Sequence, residues 1–300
     1  MSFARTAAIL LLCSAAAVRA QQLQPLIDRP LTLPQGHLDA TFHATYTNWA
    51  TGAPNPSSID GETLAAGFDF GVTDQVQFGI STALPVNPGA GFGSVLGTIA
   101  VALGPDAALR ADVGFEQIGL NGATGAAIGS THINRFLTGI GAPIRIPLAP
   151  NFAFVSGRTS SVQFGHFNNI GDSGTGFYSG ASAFPDLSSD FFVVSTGSEN
   201  SNQIIGLNVP AGLLMQPDPH VAFTVRTGYS AVISIPQGGN ASTQSVHFIP
   251  VGLEAVYTPV PALDIGADFF LDGMVGHSGT MASSGYFDRR ALMLWLRLRA

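Results

Sequence analysis

The chain has 300 residues, of which 46% are hydrophobic and only 10% are charged, and its formal net charge is −7. Soluble domains carry about a quarter charged residues, so this is not the composition of an ordinary solvated surface. The acidic balance argues against a nucleic-acid partner. All 12 basic residues are arginine, and the lack of lysine excludes P-loop and Schiff-base chemistry, since both need one.

The first twenty residues, MSFARTAAILLLCSAAAVRA, have the features of a secretory signal peptide. Arg5 gives the positive start, residues 7–18 give the apolar stretch, and Ala20 ends a cleavage site of the small-residue type. The apolar part is shorter than the roughly 20 residues that a membrane-spanning helix needs. We therefore expect residues 1–20 to be removed. The exported chain would then lack cysteine, because the only one is Cys13.

Beyond the signal, segments of about ten residues carry an apolar residue at every second position, which is the period of a strand. The segment L-D-I-G-A-D-F-F-L-D-G (263–273) could be read as a helix or as a strand. Its aspartates, Asp264, Asp268 and Asp272, lie four apart and would share one face of a helix. Gly266 would interrupt that helix, however, and the apolar residues alternate with the aspartates. A strand places all three aspartates on one face and the apolar residues on the other.

Twelve segments show such a pattern and are predicted strands: 37–47, 62–72, 75–85, 94–104, 107–118, 131–146, 151–164, 201–215, 219–233, 245–257, 262–273 and 286–299. The links between them alternate strictly between short and long. Short links carry turn residues, as in V-T-D-Q (72–75) and Q-P-D-P (216–219). Long links are rich in glycine, serine and asparagine. The longest link, 165–200, contains a strand-like segment at 186–197 that could extend a hairpin, enter the interior or add a strand.

Three prolines, Pro143, Pro210 and Pro250, fall inside predicted strands. Proline cannot donate a hydrogen bond to a strand ladder, so each is expected to mark a bulge. The strand period turns all three towards the interior.

Strands of this length, joined by alternating short and long links, resemble bacterial outer-membrane β-barrels of the porin or transporter type. The resemblance covers residues 37–300 and implies an all-β fold, a single antiparallel transmembrane barrel of twelve strands with up-and-down topology. Residues 21–36 would be a periplasmic lead-in, and R-P-L-T-L-P-Q-G (29–36) is similar to lead-ins of outer-membrane transporter-like proteins. The ending W-L-R-L-R-A departs from the aromatic last residue that the barrel-assembly machinery commonly reads.

The resemblance implies a location in the bacterial outer membrane, with membrane lipid, lipopolysaccharide and the assembly machinery as partners. It implies passive passage of small solutes through a polar lumen and no enzymatic activity. Three alternatives stay open: a membrane-embedded lipid hydrolase, a non-conducting structural or adhesive barrel, and a soluble secreted β-sandwich.

Charged residues of the predicted strands fall on the inner face, since an arginine facing lipid at mid-membrane costs about 2–4 kcal/mol. The same period turns Asp39, His43 and Arg297 inward. These charges either line a charge-selective channel or pair with one another and fill the interior. The predicted pore-lining residues are Asp69, Arg110, Asp112, Glu116, Arg135, Arg145, Arg226, Glu254, Asp264, Asp268, Asp272 and Arg289.

Two short motifs resemble catalytic signatures without completing them. G-D-S-G (171–174) lacks the rest of the trypsin-like nucleophile segment, and G-H-S-G-T (276–280) misses the G-x-S-x-G elbow by its last residue. The seven histidines are scattered without a pair four residues apart. We therefore expect no catalytic residue, no metal site and no cofactor.

Overall fold

The computed structural model describes residues 23–50, 58–87, 94–119, 132–156, 169–170, 177–178, 191–199, 202–236, 244–278 and 289–300. The predicted signal peptide and most of the 165–200 link lie outside these residues. Within them the chain is almost entirely β-strand, preceded by a 3-10 helix at Leu26–Asp28. No helix in the described part is long and apolar enough to cross a membrane.

Most of the strands have 9–17 residues, the length needed to span a membrane at a tilt, and the others are shorter. In chain order they are β1 Leu38–Ala50, β2 Ser58–Thr73, β3 Val76–Asn87, β4 Ser94–Gly104, β5 Ala107–Gly119, β6 His132–Ala142, β7 Arg145–Ala149, β8 Phe152–Val155, β9 Asn169–Ile170, β10 Phe177–Tyr178, β11 Phe191–Glu199, β12 Asn202–Asp218, β13 Val221–Pro236, β14 Gln244–Val260, β15 Leu263–Ser278 and β16 Arg289–Arg299.

Successive strands pair antiparallel from β1 to β6 and from β12 to β16, and β1 also pairs with β16, so the first and last strands lie side by side. Fourteen strands belong to this sheet, while β9 and β10 form a separate pair. Our count was twelve. It differs because the expected strand 131–146 is divided into β6 and β7, and because β8 and β11 lie one beyond the other beside β12. The strand-like segment 186–197 thus contributes β11, which pairs with both β6 and β12.

The alternation of faces is confirmed along the described strands. On β1, Phe42 is 43% exposed while its neighbours Thr41 and His43 are buried. On β15, Ile265 and Phe269 face outward. Apolar side chains thus cover the outside, where lipid would meet them, and polar ones lie inside, which is the pattern of a membrane barrel.

The three prolines behave differently from one another. Pro250 lies at a shift of register between β14 and β15, as predicted. Pro143 ends β6 and separates it from β7. Pro210 is not a bulge, because β12 keeps its register with β13 through the Pro210–Gly228 pair. On its other side β12 pairs with β11 up to Asn208 and with β8 from Gly212, so Pro210 sits where no ladder bond is required.

The short links lie together at one end of the barrel, here called the turn end. Two-residue turns occur there at 74–75, 105–106, 150–151, 219–220 and 261–262. The described part of the lead-in, residues 23–36, lies at this end and reaches side chains on the inner face of several strands.

Candidate functional site in the barrel interior

The predicted pore-lining residues that the structure describes lie on the inner face. Seven of them are buried: Asp69, Arg110, Arg145, Arg226, Glu254, Asp264 and Asp268. Asp112 lies beside them, with 16% of its side chain exposed. The side chains of the other four, Glu116, Arg135, Asp272 and Arg289, lie outside the described residues.

Asp264 is the centre of the densest charge cluster, and its side chain is fully buried. Arg297 donates to its Oδ2 from Nε at 2.9 Å and from Nη2 at 2.7 Å. Arg29 donates from Nη1 to the same oxygen at 2.9 Å, and Arg299 also bonds to it. The hydroxyl of Thr258 donates to Oδ1 at 2.6 Å. One buried carboxylate thus holds three guanidinium groups from β16 and the lead-in.

Arg29 is itself mostly buried in this cluster, with 11% of its side chain exposed. Burial lowers the pKa of its guanidinium to about 9, and the nearby Arg297 acts in the same direction while Asp39 opposes it. The group therefore stays protonated at neutral pH, and its ion pair with Asp264 persists there.

A second cluster lies further from the turn end. Arg226 of β13 forms an ion pair with Asp268 of β15, and both side chains are 3% exposed. Glu254 stands between them on β14, directly opposite Asp268 in the register. The carboxylates of Glu254 and Asp268 therefore lie together with the Arg226 guanidinium on this part of the inner wall.

The third group of charges lies on the strands that follow β1. Asp112 accepts a hydrogen bond from Arg110 at 2.9 Å and another from Thr98 at 2.7 Å. Asp69 accepts one from the side-chain amide of Gln77 at 2.8 Å. The charges of this third group are thus bonded to neighbours on the same or an adjacent strand, which orders this part of the inner wall electrostatically.

Arg145 joins the wall to the turns and to the lead-in. Its guanidinium lies 2.7 Å from a carboxylate oxygen of Asp106 and donates to the backbone carbonyl of Pro105 at 3.2 Å. It also donates from Nη1 to the backbone carbonyl of Arg29 at 2.5 Å. The strand period predicts its inward orientation, but not this contact with the lead-in.

Apolar side chains also lie inside, and the strand pattern did not single them out. Leu26 and Ile27 of the lead-in are buried in a cluster that contains Val155, Leu214 and Val256. The sequence feature that could have predicted this cluster is G-L-L-M (212–215), because its inward residue, Leu214, is apolar where most inward residues are polar. In a barrel whose lumen is filled with water, an inward leucine would be exposed to solvent unless another apolar group covers it.

Metal binding finds no support in the described part of the chain, which has no group of three or more His, Cys, Asp or Glu side chains placed to hold an ion. The inner wall instead offers fixed charges of both signs, close to one another, at the inner surface of a barrel. Such a wall can attract and repel solutes by charge.

The antiparallel strands, the apolar exterior and the charged interior define an outer-membrane-type β-barrel. Among solved structures the chain is similar to an outer-membrane channel from Pseudomonas putida F1, with 11% sequence identity, a TM-score of 0.51, and coverage of 90% of this chain and 97% of that chain. It is also similar to the β-domain of the Bordetella autotransporter BrkA, with 10% identity, a TM-score of 0.46, and coverage of 88% and 99%. A third is the translocator domain of the autotransporter NalP from Neisseria meningitidis, with 11% identity, a TM-score of 0.44, and coverage of 98% and 95%.

No protein-family model and no curated protein sequence matches the chain. At identities this low, the structural similarity establishes the fold. The predicted all-β antiparallel barrel is thereby confirmed.

Proposed function

We propose that the protein is a narrow channel of the bacterial outer membrane that lets small polar solutes cross passively. The observation that carries this proposal is that acidic and arginine side chains line the inner wall while apolar residues face outward. Residues 1–20 would direct export and be removed. Membrane lipid and lipopolysaccharide would then surround the apolar exterior, and the barrel-assembly machinery would insert the chain.

The charged interior supports a channel over a barrel that serves only as an anchor. Buried ion pairs contribute little net stability, and replacing them with apolar residues of similar volume is often neutral or stabilising. Stability alone therefore does not account for pairs such as Arg226–Asp268 and Arg110–Asp112 inside the barrel. Fixed charges of both signs do influence which small solutes pass a narrow lumen.

The similarity to a channel from Pseudomonas putida F1 is in keeping with this function, since that protein has the same fold over nearly its whole length. The close packing of the inner wall favours the alternative of a non-conducting structural or adhesive barrel. A membrane-embedded lipid hydrolase has no comparable support from the contacts described above, and we propose no enzymatic activity.

Single-channel conductance tests the proposal. The chain from Gln21 onward is refolded into detergent, checked by its heat-dependent mobility on gels, and added to a planar bilayer. We expect discrete conductance steps with a charge preference that shifts towards anions in the double variant Glu254→Gln and Asp268→Asn. The matched control is Leu294→Ala on the outer face, which should leave the preference unchanged. Stable insertion without steps, both in this chain and in one lacking residues 21–36, would contradict a channel.

A further inference from the structure

We propose that residues 25–36, here called the strap, cross the turn end of the lumen and close it, so that solutes pass only when the strap moves aside. This inference rests on the proposed channel function and adds to it the part of the chain that controls opening. The strap is attached at three places on the inner wall, which are described in turn.

The first attachment is apolar. Leu26 and Ile27 are 2% and 6% exposed and pack into the cluster formed with Leu214 and Val155 on β12 and β8. The backbone amide of Ile27 also donates to the side-chain carbonyl of Gln216 on β12 at 3.1 Å. These inward apolar residues are covered by the strap and would otherwise face the lumen.

The second attachment is ionic and lies between the ends of the strap. Arg29 reaches Asp264 on β15 and donates to the hydroxyl of Thr258 on β14 at 3.2 Å. Its backbone carbonyl accepts the hydrogen bond from Arg145 on β7. One strap residue thus contacts three different strands of the wall.

The third attachment is far from the first around the barrel. The amide of Leu33 donates to Gln77 on β3 at 2.8 Å, and the amide of Gln35 donates to Asp74 in the β2–β3 turn at 3.0 Å. Gly36 donates to the carbonyl of Gly71 on β2 at 2.8 Å. In the order of the sheet, β1, β16, β15, β14 and β13 lie between β2 and β12. Arg29 contacts both β15 and β7, and β14, β13, β12 and β8 lie between those two strands in the sheet. The strap therefore spans the lumen at Arg29 and does not follow one wall.

Two features allow the strap to move while the barrel stays intact. Pro25, Pro30 and Pro34 interrupt it, and proline cannot donate to a strand ladder, so the strap does not become part of the sheet. Its attachments are mainly individual side-chain contacts, whereas β1 is bonded along its length to β2 and β16. Releasing the strap breaks a few contacts and leaves every barrel strand paired.

Gly71 offers a way to displace the strap without changing its sequence. A Cβ on Gly71 would lie 1.9 Å from the carbonyl oxygen of Pro34 and 2.7 Å from that of Leu33. Both are strap backbone atoms, so a larger side chain at this position forces the strap away from β2. Gly104 provides the matched control, because it also lies at the turn end and a Cβ there would meet nothing within 4 Å.

The experiment compares single-channel conductance of the chain from Gln21, the same chain without residues 21–36, Gly71→Leu and Gly104→Leu. Folding is first verified by heat-dependent gel mobility. Both the deletion and Gly71→Leu are expected to give severalfold larger or more persistent openings, while Gly104→Leu matches the unaltered chain. Arg29→Ala should fall between the two groups.

The outcomes separate the two proposals. Equal conductance in all folded variants would overturn the strap as a closing element and leave the channel standing. If the deletion and Gly71→Leu insert but do not conduct, the channel function fails and the strap's role fails with it. Because Gly71→Leu keeps the whole chain, it decides the matter even if the deleted form does not fold.

Discussion

The indole of Trp295 occupies the space that a side chain at Gly266 would fill. The two residues are directly opposite each other in the register of β15 and β16. A Cβ placed on Gly266 would lie 1.9 Å from Cε2 and 2.2 Å from Cζ2 of the ring. The large inward side chain on β16 therefore requires glycine on β15, and the ring also lies 5.8 Å from the guanidinium carbon of Arg297.

Replacing Gly266 with valine should destabilise the barrel. The indole is 2% exposed and must leave its position, so we expect a loss of about 1–3 kcal/mol, as for other overpacked interiors. Denaturant unfolding of the folded protein in lipid vesicles, followed by tryptophan fluorescence, measures the change. Gly104→Val is the control, because a Cβ at that position meets nothing within 4 Å. Equal stability of the two variants would contradict the packing described for Trp295.

Asp264→Asn should be among the most destabilising single changes in the interior. It removes the charge that holds Arg29, Arg297 and Arg299 together in a buried place, and breaking a buried pair from one side costs about 3–5 kcal/mol. Midpoints of denaturant unfolding give the difference. Asp112→Asn serves as the comparison, since that carboxylate is partly exposed and its described ion pair is with Arg110 alone. The interpretation fails if both changes have the same effect.

The Arg226–Asp268 pair should show strong coupling in a double-mutant cycle. Arg226→Met removes a guanidinium and leaves Asp268 opposite Glu254, so we expect a loss of about 3–5 kcal/mol. Adding Asp268→Asn should restore part of it, with a coupling energy of about 0.5–3 kcal/mol. Unfolding of the unaltered protein, the two single variants and the double variant provides the four corners of the cycle. Additive effects would mean that the two side chains do not stabilise each other.

The sequence predicted which face of the barrel each side chain occupies better than it predicted which strands pair. The period of two follows from backbone geometry, so it placed Asp264 and Asp268 inside and Ile265 outside without knowledge of any partner. The prediction that Pro210 marks a bulge was wrong, because its pairing depends on where β11 ends and β8 begins. Where β11 and β8 meet beside β12 depends on pairing between segments that are far apart in the chain, so no local sequence pattern predicts it.

The contacts of the strap with the inner wall were not predicted from the sequence. Residues 21–36 were expected to be a periplasmic lead-in, and nothing in R-P-L-T-L-P-Q-G indicates that its arginine reaches a carboxylate 235 residues further along the chain. Contacts of that kind come from the closing of the sheet, not from local propensity. An inward leucine at 214 was the available sign that the interior had an apolar occupant.

Arginine on the outer face should cost most in the middle of a strand. Leu294 lies at the centre of β16 with 56% exposure, and Leu298 lies near its turn end with 36% exposure. If lipid surrounds this face, Leu294→Arg loses about 2–4 kcal/mol at the bilayer midplane, whereas Leu298→Arg near the interface loses about 0–1 kcal/mol. Reversible unfolding from lipid vesicles in urea or guanidinium measures both. In detergent micelles, where the surroundings deform more readily, the two costs should move closer together. Equal costs in vesicles would mean that the apolar exterior of β16 does not face a bilayer, and would remove the basis for a membrane-spanning channel.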